Sequence, residues 1–278
     1  MIMNGKEYKA ILLEELKNKL STLSTQLGLA VLQVGNDEAS NVYVKQKQKM
    51  AEELGYKFIH NVYPEDITQD ELIKEIEKLN HDETIDGILV QMPIPKHLDS
   101  GVIQNSISPS KDVDGLTHVN AGKVVTNTPG LVPCTPKGII DLLDHYKIKI
   151  EGSNVVVIGR SILVGKPIAN LLINRNATVT LCHSKTRDIK QFTLNADIVI
   201  VAVGKAGFLT EDMIQDGAVV IDVGINRIDG KLYGDVDYEN VAKKASYITP
   251  VPGGVGPMTV AELADNVYEA HVLKKNRF

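Results

Sequence analysis

Residues 154–167 read NVVVIGRSILVGKP and give the clearest indication of how this chain folds. Four apolar residues form a buried strand, a glycine-containing loop follows, and Pro167 stands at the start of a helix. Because the backbone N–H groups of such a loop and of a helix N-terminus bind pyrophosphate, the pattern predicts a dinucleotide site. Ser161 stands where the second glycine of GxGxxG is expected, so an ordinary tight turn of a doubly wound sheet is the alternative interpretation.

Strands and helices alternate on both sides of this stretch, which indicates parallel sheets. Thr135-Pro136 predicts the N-cap and first turn of one helix, and the capping-box spacing of Thr259 and Glu262 predicts the start of the last helix. We expect strands near 29–35, 57–62, 85–91, 154–159, 178–182, 197–203 and 218–223, and helices near 6–20, 40–54, 68–79, 138–146 and 167–174.

The length of 278 residues favours two domains. The expected fold class is α/β, with two α/β domains and a cleft between them. Residues 1–118 and 260–278 form the predicted catalytic domain, to which the last helix returns. Residues 119–259 form the predicted nucleotide-binding domain, a Rossmann-like doubly wound parallel sheet.

Composition excludes several classes of protein. The chain has 30 Lys and Arg against 35 Asp and Glu, a formal net charge of −5, and lacks a basic block, so we expect no nucleic-acid or membrane partner. The two cysteines, Cys134 and Cys182, are far apart, which argues against a disulfide framework or a structural metal site. No apolar run approaches the ~18 residues of a membrane span. These features predict a soluble cytoplasmic protein without a metal.

The strand after the glycine loop indicates which dinucleotide is bound. In NAD sites an acidic residue at the end of that strand holds the ribose 2′-hydroxyl. Here residues 181–187 read LCHSKTR and contain no carboxylate. The hydroxyl of Ser184 and the cationic groups of Lys185 and Arg160 suit a 2′-phosphate instead. We therefore predict NADP as the cofactor.

A lysine stands on the apolar face of the helix predicted at 40–54. Helical spacing places Lys47 on the same side as Tyr43, Met50, Ala51 and Leu54. A lysine there can cover apolar surface with its stem while the amine reaches water. Alternatively, it is a partly desolvated amine with a lowered pKa, suited to general acid/base catalysis beside a phenol. We favour the second interpretation.

Three further segments offer polar or exposed backbone groups at strand ends and turns. Gln91 ends a strand just before two prolines and is suited to orienting a substrate or a water molecule. The turn 111–115 carries Asp112 and Asp114, although Asp-Gly is also ordinary turn chemistry. The proline- and glycine-rich loop at 250–257 combines stiffness with exposed backbone, as a ligand-binding loop does.

Six motifs together resemble bifunctional methylenetetrahydrofolate dehydrogenase/methenyltetrahydrofolate cyclohydrolase. They occur in the order of that family and span nearly the whole chain, without a departure at any motif position. The motifs are YVKQK (43–47), GILVQMPIP (87–95), KDVDG (111–115), PCTP (133–136), GRS through VGKP (159–167) and TPVPGGVGPMT (249–259).

The resemblance implies an NADP-dependent enzyme of one-carbon metabolism, with a folate-binding catalytic domain. It would oxidise 5,10-methylenetetrahydrofolate to the methenyl cation and hydrolyse this product to 10-formyltetrahydrofolate in the same cleft. It further implies a homodimer formed through the second domain. By this analogy, Lys47 is the acid/base of hydrolysis, Tyr43 aligns the cofactor ring, Gln91 tunes Lys47, and Asp114 binds the pterin. The remaining implied contacts are Gly159, Arg160, Ser161, Ser184 and Ile225 for NADP, and Pro252, Gly253 and Gly254 for substrate.

Three other classes of protein share part of this pattern but fit the sequence less well than the methylenetetrahydrofolate dehydrogenase/cyclohydrolase family. Short-chain dehydrogenases also carry Tyr-x-x-x-Lys, but there the glycine loop precedes the pair, the reverse of the order here. A two-domain NADP oxidoreductase of the shikimate dehydrogenase kind leaves Gln91 and the proline–glycine loop unexplained. A nucleotide sensor without catalysis has no use for an inward Lys47 beside Tyr43.

Overall fold

The computed structural model describes residues 1–275, apart from the side chain of Ala39. Its elements in chain order up to residue 126 are α1 (Gly5–Ser21), β1 (Gly28–Val34), α2 (Glu38–Leu54), β2 (Lys57–Tyr63), α3 (Gln69–His81), β3 (Gly87–Val90), α4 (Ser100–Ser106) and α5 (His118–Thr126). The elements that follow are α6 (Cys134–His145), β4 (Asn154–Ile158), α7 (Gly165–Asn174), β5 (Thr178–Cys182), α8 (Lys190–Thr193), β6 (Ile198–Val201), a 3₁₀ turn (Glu211–Met213), β7 (Val219–Asp222), β8 (Asn226–Ile228), β9 (Lys231–Tyr233), α9 (Tyr238–Lys244), β10 (Tyr247–Ile248) and α10 (Val255–Lys275).

The chain divides into two compact units, which we name by their sheets. The three-stranded unit comprises residues 12–134 and the described residues from Val260 onward, and the five-stranded unit comprises residues 1–11 and 135–259. These limits differ from the predicted domain boundaries at both ends of the segment 1–118, which was assigned to the catalytic domain. Residues 1–11 group with the five-stranded unit, and residues 119–134 group with the three-stranded unit.

Hydrogen bonds to strand β10 explain where the N-terminal residues lie. The backbone N–H of Met3 donates to the Ile248 carbonyl at 2.8 Å, and the N–H of Ile248 donates to the Met1 carbonyl at 3.0 Å. Residues 1–3 thus extend the five-stranded sheet beyond β10, a long-range pairing that no local pattern in the sequence reveals.

The three-stranded unit is built around β1, which pairs in parallel with β2 on one side and β3 on the other. All seven residues of β1 are buried, as expected for a central parallel strand covered on both faces. Its side chains alternate between two cores: Leu29 and Val31 pack in one cluster, and Ala30 and Leu32 pack in the other. The first cluster includes residues of α1, α2 and α10, and the second includes residues of α3 and α4.

The five-stranded unit contains a fully parallel sheet in the order β10-β7-β6-β4-β5. From β4 the chain passes through α7 to β5 on one side and then crosses to β6 on the other. In open parallel sheets, ligands bind at the carboxyl ends of the strands where the order reverses, here beside β4 and β6. The predicted α/β class and the Rossmann-like doubly wound sheet are confirmed.

Several local predictions need correction. The helix predicted to start at Thr259 begins at Val255, one turn earlier, because Gly256 and Pro257 are compatible with a first helical turn. Thr135 lies within α6, which begins at Cys134, so it is not the N-cap. The antiparallel hairpin β8–β9 was not predicted, although Asp229 and Gly230 both adopt the positive φ of a two-residue hairpin turn. Among residues 1–275, no helix is long and apolar enough to cross a membrane.

Candidate active site

A hydrogen bond between α2 and the end of β3 forms the centre of the candidate site. Lys47 Nζ donates to Gln91 Oε1 at 2.7 Å. Gln91 is 7% exposed, and its backbone N–H donates to the Leu32 carbonyl at 2.8 Å, which continues the β1–β3 pairing. Because Gln91 Nε2 donates to the Met92 carbonyl at 2.6 Å, its carbonyl oxygen is the atom left to face Lys47.

The surroundings of Lys47 act on its protonation in opposite directions. Burial lowers the pKa of Lys47, whereas the nearby Asp114 and Cys134 raise it, and burial dominates. Burial also raises the pKa of Asp114 to about 6, which the positive charge of Lys47 opposes and Asp112 reinforces. The pair therefore places an amine that is easier to deprotonate beside a carboxyl group that titrates near neutral pH, as acid/base catalysis requires.

Only one of the two acids in the turn 111–115 acts on Lys47. Asp112 is fully buried and serves as an anchor for the segment that follows, because it accepts hydrogen bonds from Gln104 Nε2, Leu116 N, Thr117 N and Asn120 Nδ2. Lys111 is also buried and donates through Nζ to the carbonyls of Leu79 and Asp82. The turn is thus held by Lys111 and Asp112.

Tyr43 lies farther from the core than its helical spacing predicts. It is 49% exposed, while Val44 is 2% exposed and takes the core position in that turn of α2. Met50 and Ala51 are buried as predicted, so the apolar face of α2 is turned by about one residue towards Val44. The exposed phenol of Tyr43, one helical turn from Lys47, is available to a ligand rather than packed in the core.

In the five-stranded unit, the loop after β4 has no space for side chains at its two glycines. Gly159 has a φ of +120°, and a Cβ there would stand 2.2 Å from the Ala202 carbonyl oxygen. A Cβ on Gly165, the first residue of α7, would stand 2.0 Å from the Gly159 carbonyl oxygen. Ser161 replaces the middle glycine and stabilises the helix start, because its Oγ accepts hydrogen bonds from the N–H groups of Val164 and Gly165.

This loop fits the dinucleotide that the sequence predicts. Bare backbone at Gly159 and Gly165 lets a pyrophosphate approach the N-terminus of α7. Ile158 pairs with Cys182 in the sheet, so Arg160 and Ser184 stand at equivalent positions after two adjacent strands. Arg160, Ser184 and Lys185 are exposed, and these cationic and hydroxyl groups match a 2′-phosphate rather than a free ribose hydroxyl.

The other residues assigned to ligands also lie in the five-stranded unit. Ile225 follows β7 and is 53% exposed, so its side chain is accessible to a cofactor. Pro252 is exposed, whereas Gly253 and Gly254 are buried against the first residues of α1. A Cβ on Gly5 would stand 1.9 Å from the Gly254 carbonyl oxygen, and the Lys6 N–H donates to the Gly253 carbonyl at 3.2 Å. The contact with the loop therefore accounts for the glycine at position 5. Gly253 has a φ of +114°, and a Cβ on Gly254 would stand 2.7 Å from the Pro250 carbonyl oxygen, so the loop's own conformation accounts for its two consecutive glycines.

Two buried acids near the predicted cofactor residues were not predicted as functional from the sequence. Asp222 ends β7, and Asp235 follows β9; they are 2% and 0% exposed. Each follows an apolar strand or a glycine, which is a weak signal for a buried carboxylate. Among residues 1–275, no group of three or more His, Cys, Asp or Glu side chains is arranged to hold a metal ion.

A dinucleotide loop in one unit and a lysine of lowered pKa in the other are typical of a nicotinamide-dependent oxidoreductase that also moves protons. Comparison with known proteins identifies the family. Residues 3–114 match the tetrahydrofolate dehydrogenase/cyclohydrolase catalytic domain, and residues 133–275 match the NAD(P)-binding domain of the same family. The chain therefore belongs to the tetrahydrofolate dehydrogenase/cyclohydrolase family.

Individual relatives agree with this assignment over nearly the whole chain. The bifunctional protein FolD of Campylobacter concisus (strain 13826) is 51% identical over 269 residues, which cover 95% of each chain. The crystal structure of the bifunctional enzyme FolD, methylenetetrahydrofolate dehydrogenase/cyclohydrolase, from Campylobacter jejuni is 48% identical, with a TM-score of 0.96 and coverage of 100% of this chain and 99% of that chain.

Cofactor use is supported by a second solved structure. The methylenetetrahydrofolate dehydrogenase-cyclohydrolase of Trypanosoma brucei was crystallised with NADP and an inhibitor; it is 35% identical, with a TM-score of 0.93 and coverage of 99% of this chain and 98% of that chain. The predicted family, enzyme class and NADP cofactor are confirmed.

The alternative of the shikimate dehydrogenase kind is not supported beyond the fold. Shikimate 5-dehydrogenase of Thermus thermophilus is 12% identical, with a TM-score of 0.52, and covers 88% of this chain and 100% of that chain. This likeness shows a shared α/β fold and carries no information about substrate.

Proposed function

We propose that this chain oxidises 5,10-methylenetetrahydrofolate with NADP+ and then hydrolyses the methenyl product to 10-formyltetrahydrofolate, with Lys47 as the acid/base, supported by Gln91 and Asp114. One observation supports this assignment above the others. The Lys47 amine has a pKa lowered by burial, is held at 2.7 Å by Gln91, and lies within the electrostatic influence of Asp114.

Bound NADP+ supplies the hydride acceptor for the oxidation. Gly159 and Ser161 would hold its pyrophosphate at the loop after β4, and Arg160 and Ser184 would hold its 2′-phosphate. Ile225 and Tyr43 would contact its rings. Since hydride transfer depends mainly on positioning, we assign these residues to binding and alignment.

Lys47 performs the proton transfers of the hydrolytic step. In its neutral form it accepts a proton from the water molecule that attacks the cationic methenyl carbon. It then returns this proton to N5 of the pterin as the C–N5 bond breaks, while the proton of the new hydroxyl group is released as the formyl carbonyl forms. One water molecule is consumed and one proton is released per turnover. A pKa lowered towards neutrality serves both directions of transfer.

Gln91 and Asp114 support this chemistry from either side of the lysine. The Gln91 carbonyl oxygen aims the amine, because the other end of its amide is tied to the Met92 carbonyl. Asp114 offers paired acceptor oxygens that match the donors of the pterin amidine edge. Pro252, Gly253 and Gly254 would contribute backbone contacts to the substrate.

One assay tests the proposal and separates it from its alternatives. The purified chain is mixed with methylenetetrahydrofolate and NADP+, and the absorbance of the methenyl compound is followed. We expect the absorbance to rise and then to decay as hydrolysis proceeds. Turnover of shikimate with NADP+ in place of the folate, or NADP+ binding with no turnover of either substrate, would contradict the proposal.

We also propose that the chain is a cytoplasmic homodimer. The family resemblance supports association through the five-stranded unit, and the two buried cysteines, Cys134 and Cys182, are compatible with a reducing compartment. Light scattering after gel filtration is expected to give twice the mass of 30.4 kDa, and cell fractionation is expected to recover the activity with the cytoplasm. A single-chain mass, or activity outside the cytoplasm, would refute the corresponding part.

A further inference from the structure

Two buried carboxylates connect the loops at the carboxyl edge of the five-stranded sheet. Asp222 and Asp235 are 2% and 0% exposed, so neither carboxylate is accessible to a bound ligand. Buried acids are uncommon unless their oxygens are satisfied by donors. Their partners therefore indicate what these two residues do.

Asp235 accepts hydrogen bonds from three consecutive backbone amides. Its Oδ2 accepts from the N–H groups of Val203 and Gly204 at 2.7 and 2.9 Å, and its Oδ1 accepts from the N–H of Lys205 at 2.8 Å. The same Oδ1 accepts from Asn226 Nδ2 at 2.9 Å. One carboxylate thus ties the loop after β6 to the loop after β7.

Asp222 holds the backbone that carries Asp235. Its Oδ1 accepts from the N–H groups of Gly224 and Asp235 at 3.1 and 2.8 Å, and its Oδ2 accepts from the N–H of Val236 at 3.0 Å. Thr249 Oγ1 in turn accepts from the Asp222 N–H at 2.7 Å. Asp235 therefore reaches its partners from a backbone that is itself fixed.

Two glycines leave space for these carboxylates. A Cβ added to Gly224 would stand 2.1 Å from the Asp235 carboxylate, and one added to Gly234 would stand 1.8 Å from Asp222 Oδ2. Each acid packs directly against a backbone that has no side chain at that point. This arrangement fixes the loops at 203–205 and 224–226 more tightly than hydrogen bonds from exposed groups would.

The loop after β7 contains Ile225, which lies between Gly224 and Asn226, both bonded to these acids. The loop after β6 begins beside Gly159, whose missing Cβ would meet the Ala202 carbonyl. Both loops therefore border the edge where the cofactor binds in this kind of sheet. We infer that Asp235 is a positioning residue for NADP: it fixes the loops at 203–205 and 224–226, and with them the cofactor contact of Ile225, without touching the cofactor.

This inference rests on the proposed role of Ile225 and on the use of NADP. The effects of replacing Asp235 distinguish a positioning role from a purely structural one. A structural role lowers stability and reduces both activities together. A positioning role raises the apparent KM and the dissociation constant for NADP+, while the hydrolysis of supplied methenyltetrahydrofolate, which consumes no NADP+, is retained.

The test uses Asp235→Asn in the full-length chain. The amide keeps the shape of the carboxylate but turns an N–H₂ group towards at least one of the donors now bonded, so one loop loses its anchor. We expect the dissociation constant of NADP+, measured by calorimetry, to rise about 10-fold or more, since hydrogen bonds to charged groups are among the stronger ones in proteins. Cyclohydrolase activity on methenyltetrahydrofolate is expected to stay within about twofold of wild type.

Asp237→Asn is the matched control, because it removes a nearby carboxylate outside this network and leaves an N-cap residue at α9. Asn226→Ala provides a milder variant, since it removes a single donor to Asp235 and tests the same link if Asp235→Asn does not fold. Its expected effect on NADP+ binding is about threefold to 10-fold. NADP+ binding unchanged in the folded variants, or loss of both activities in equal proportion, would overturn the inference.

The experiment also distinguishes this inference from the proposed function. A wild-type chain that binds NADP+ but does not oxidise methylenetetrahydrofolate refutes the proposed reaction and leaves the binding comparison intact. A wild-type chain with both activities, together with an Asp235→Asn variant that binds NADP+ normally, refutes the positioning role alone.

Discussion

Replacing Lys47 by methionine tests the division of labour between the two reactions. The substitution keeps a long unbranched side chain and removes the ammonium that donates to Gln91 Oε1 at 2.7 Å. Burial lowers the pKa of this lysine, which means that the site disfavours the charged form of the amine. We therefore expect Lys47→Met to fold, with a free energy of unfolding close to that of wild type, because the removal of a disfavoured charge offsets the loss of the hydrogen bond to Gln91.

The expected loss of hydrolysis follows from the role of the amine. General acid/base catalysis contributes roughly 10²–10⁴-fold to a rate, and each factor of ten corresponds to about 1.4 kcal/mol of barrier. Lys47→Met should therefore slow the cyclohydrolase reaction by at least about 100-fold, or about 2.8 kcal/mol. The dehydrogenase rate should remain measurable, because hydride transfer depends on the positioning of substrate and cofactor.

Two absorbance assays on the same preparation measure these rates. Methenyltetrahydrofolate added alone reports hydrolysis by its decay, and methylenetetrahydrofolate with NADP+ reports oxidation by the appearance of the methenyl compound. Lys45→Met serves as the control, because Lys45 is exposed on the same helix and should leave both rates unchanged. Equal losses of both activities in Lys47→Met, or an unchanged hydrolysis rate, would refute the assigned role.

Three further substitutions test the cofactor site, the acid and the glycine loop. Ser184→Asp should weaken NADP+ binding about 10-fold or more relative to NAD+, because a new negative charge faces the 2′-phosphate. The ratio of the KM values for NADP+ and NAD+ measures this effect, with Ser184→Asn as the uncharged control. An unchanged ratio would contradict the assignment. The raised pKa of Asp114, about 6, means that the folded chain holds its proton more tightly than the unfolded chain, so its contribution to stability is complete below about pH 4 and is lost as the pH rises through 6. Urea unfolding between pH 4 and 7 should therefore show a growing stability advantage for Asp114→Asn of up to about 3 kcal/mol, and parallel curves would speak against the shift. Gly159→Ala should destabilise the chain by about 2 kcal/mol or more, because the residue has a positive φ and its Cβ would meet the Ala202 carbonyl. Gly122→Ala, in open space within α5, should be neutral or stabilising. Equal melting temperatures for the two variants would rule out this steric explanation.

The sequence was sufficient to place most chemical groups on their elements. The central strands are apolar runs, and helical spacing put Lys47 near an inward face. The meeting of Lys47 with Gln91 depends on how α2 lies against β3, which is a tertiary feature. Tertiary packing also explains why Tyr43 is exposed. Contacts with neighbouring side chains, and not the period of the helix, determine that Val44 occupies the core.

Sequence spacing alone does not distinguish the roles of the two acids in the turn 111–115. Asp112 and Asp114 are equivalent in sequence, and only the resemblance to a family distinguished them. In the structure, Asp112 is fully buried among four donors, whereas burial and Lys47 govern the protonation of Asp114. Counting donors around each carboxylate separates an anchoring acid from a reactive one, and that count needs coordinates.

The pairing of the first residues with β10 affects how the chain folds during synthesis. Met3 and Ile248 are joined by a backbone hydrogen bond across nearly the whole length of the polypeptide. At roughly 5–20 residues per second, the ribosome makes the first strand segment about 12–50 s before it makes its partner. During that interval the exposed edge of residues 1–3 has no native strand to pair with. The segment made first is therefore among the last to reach its final place.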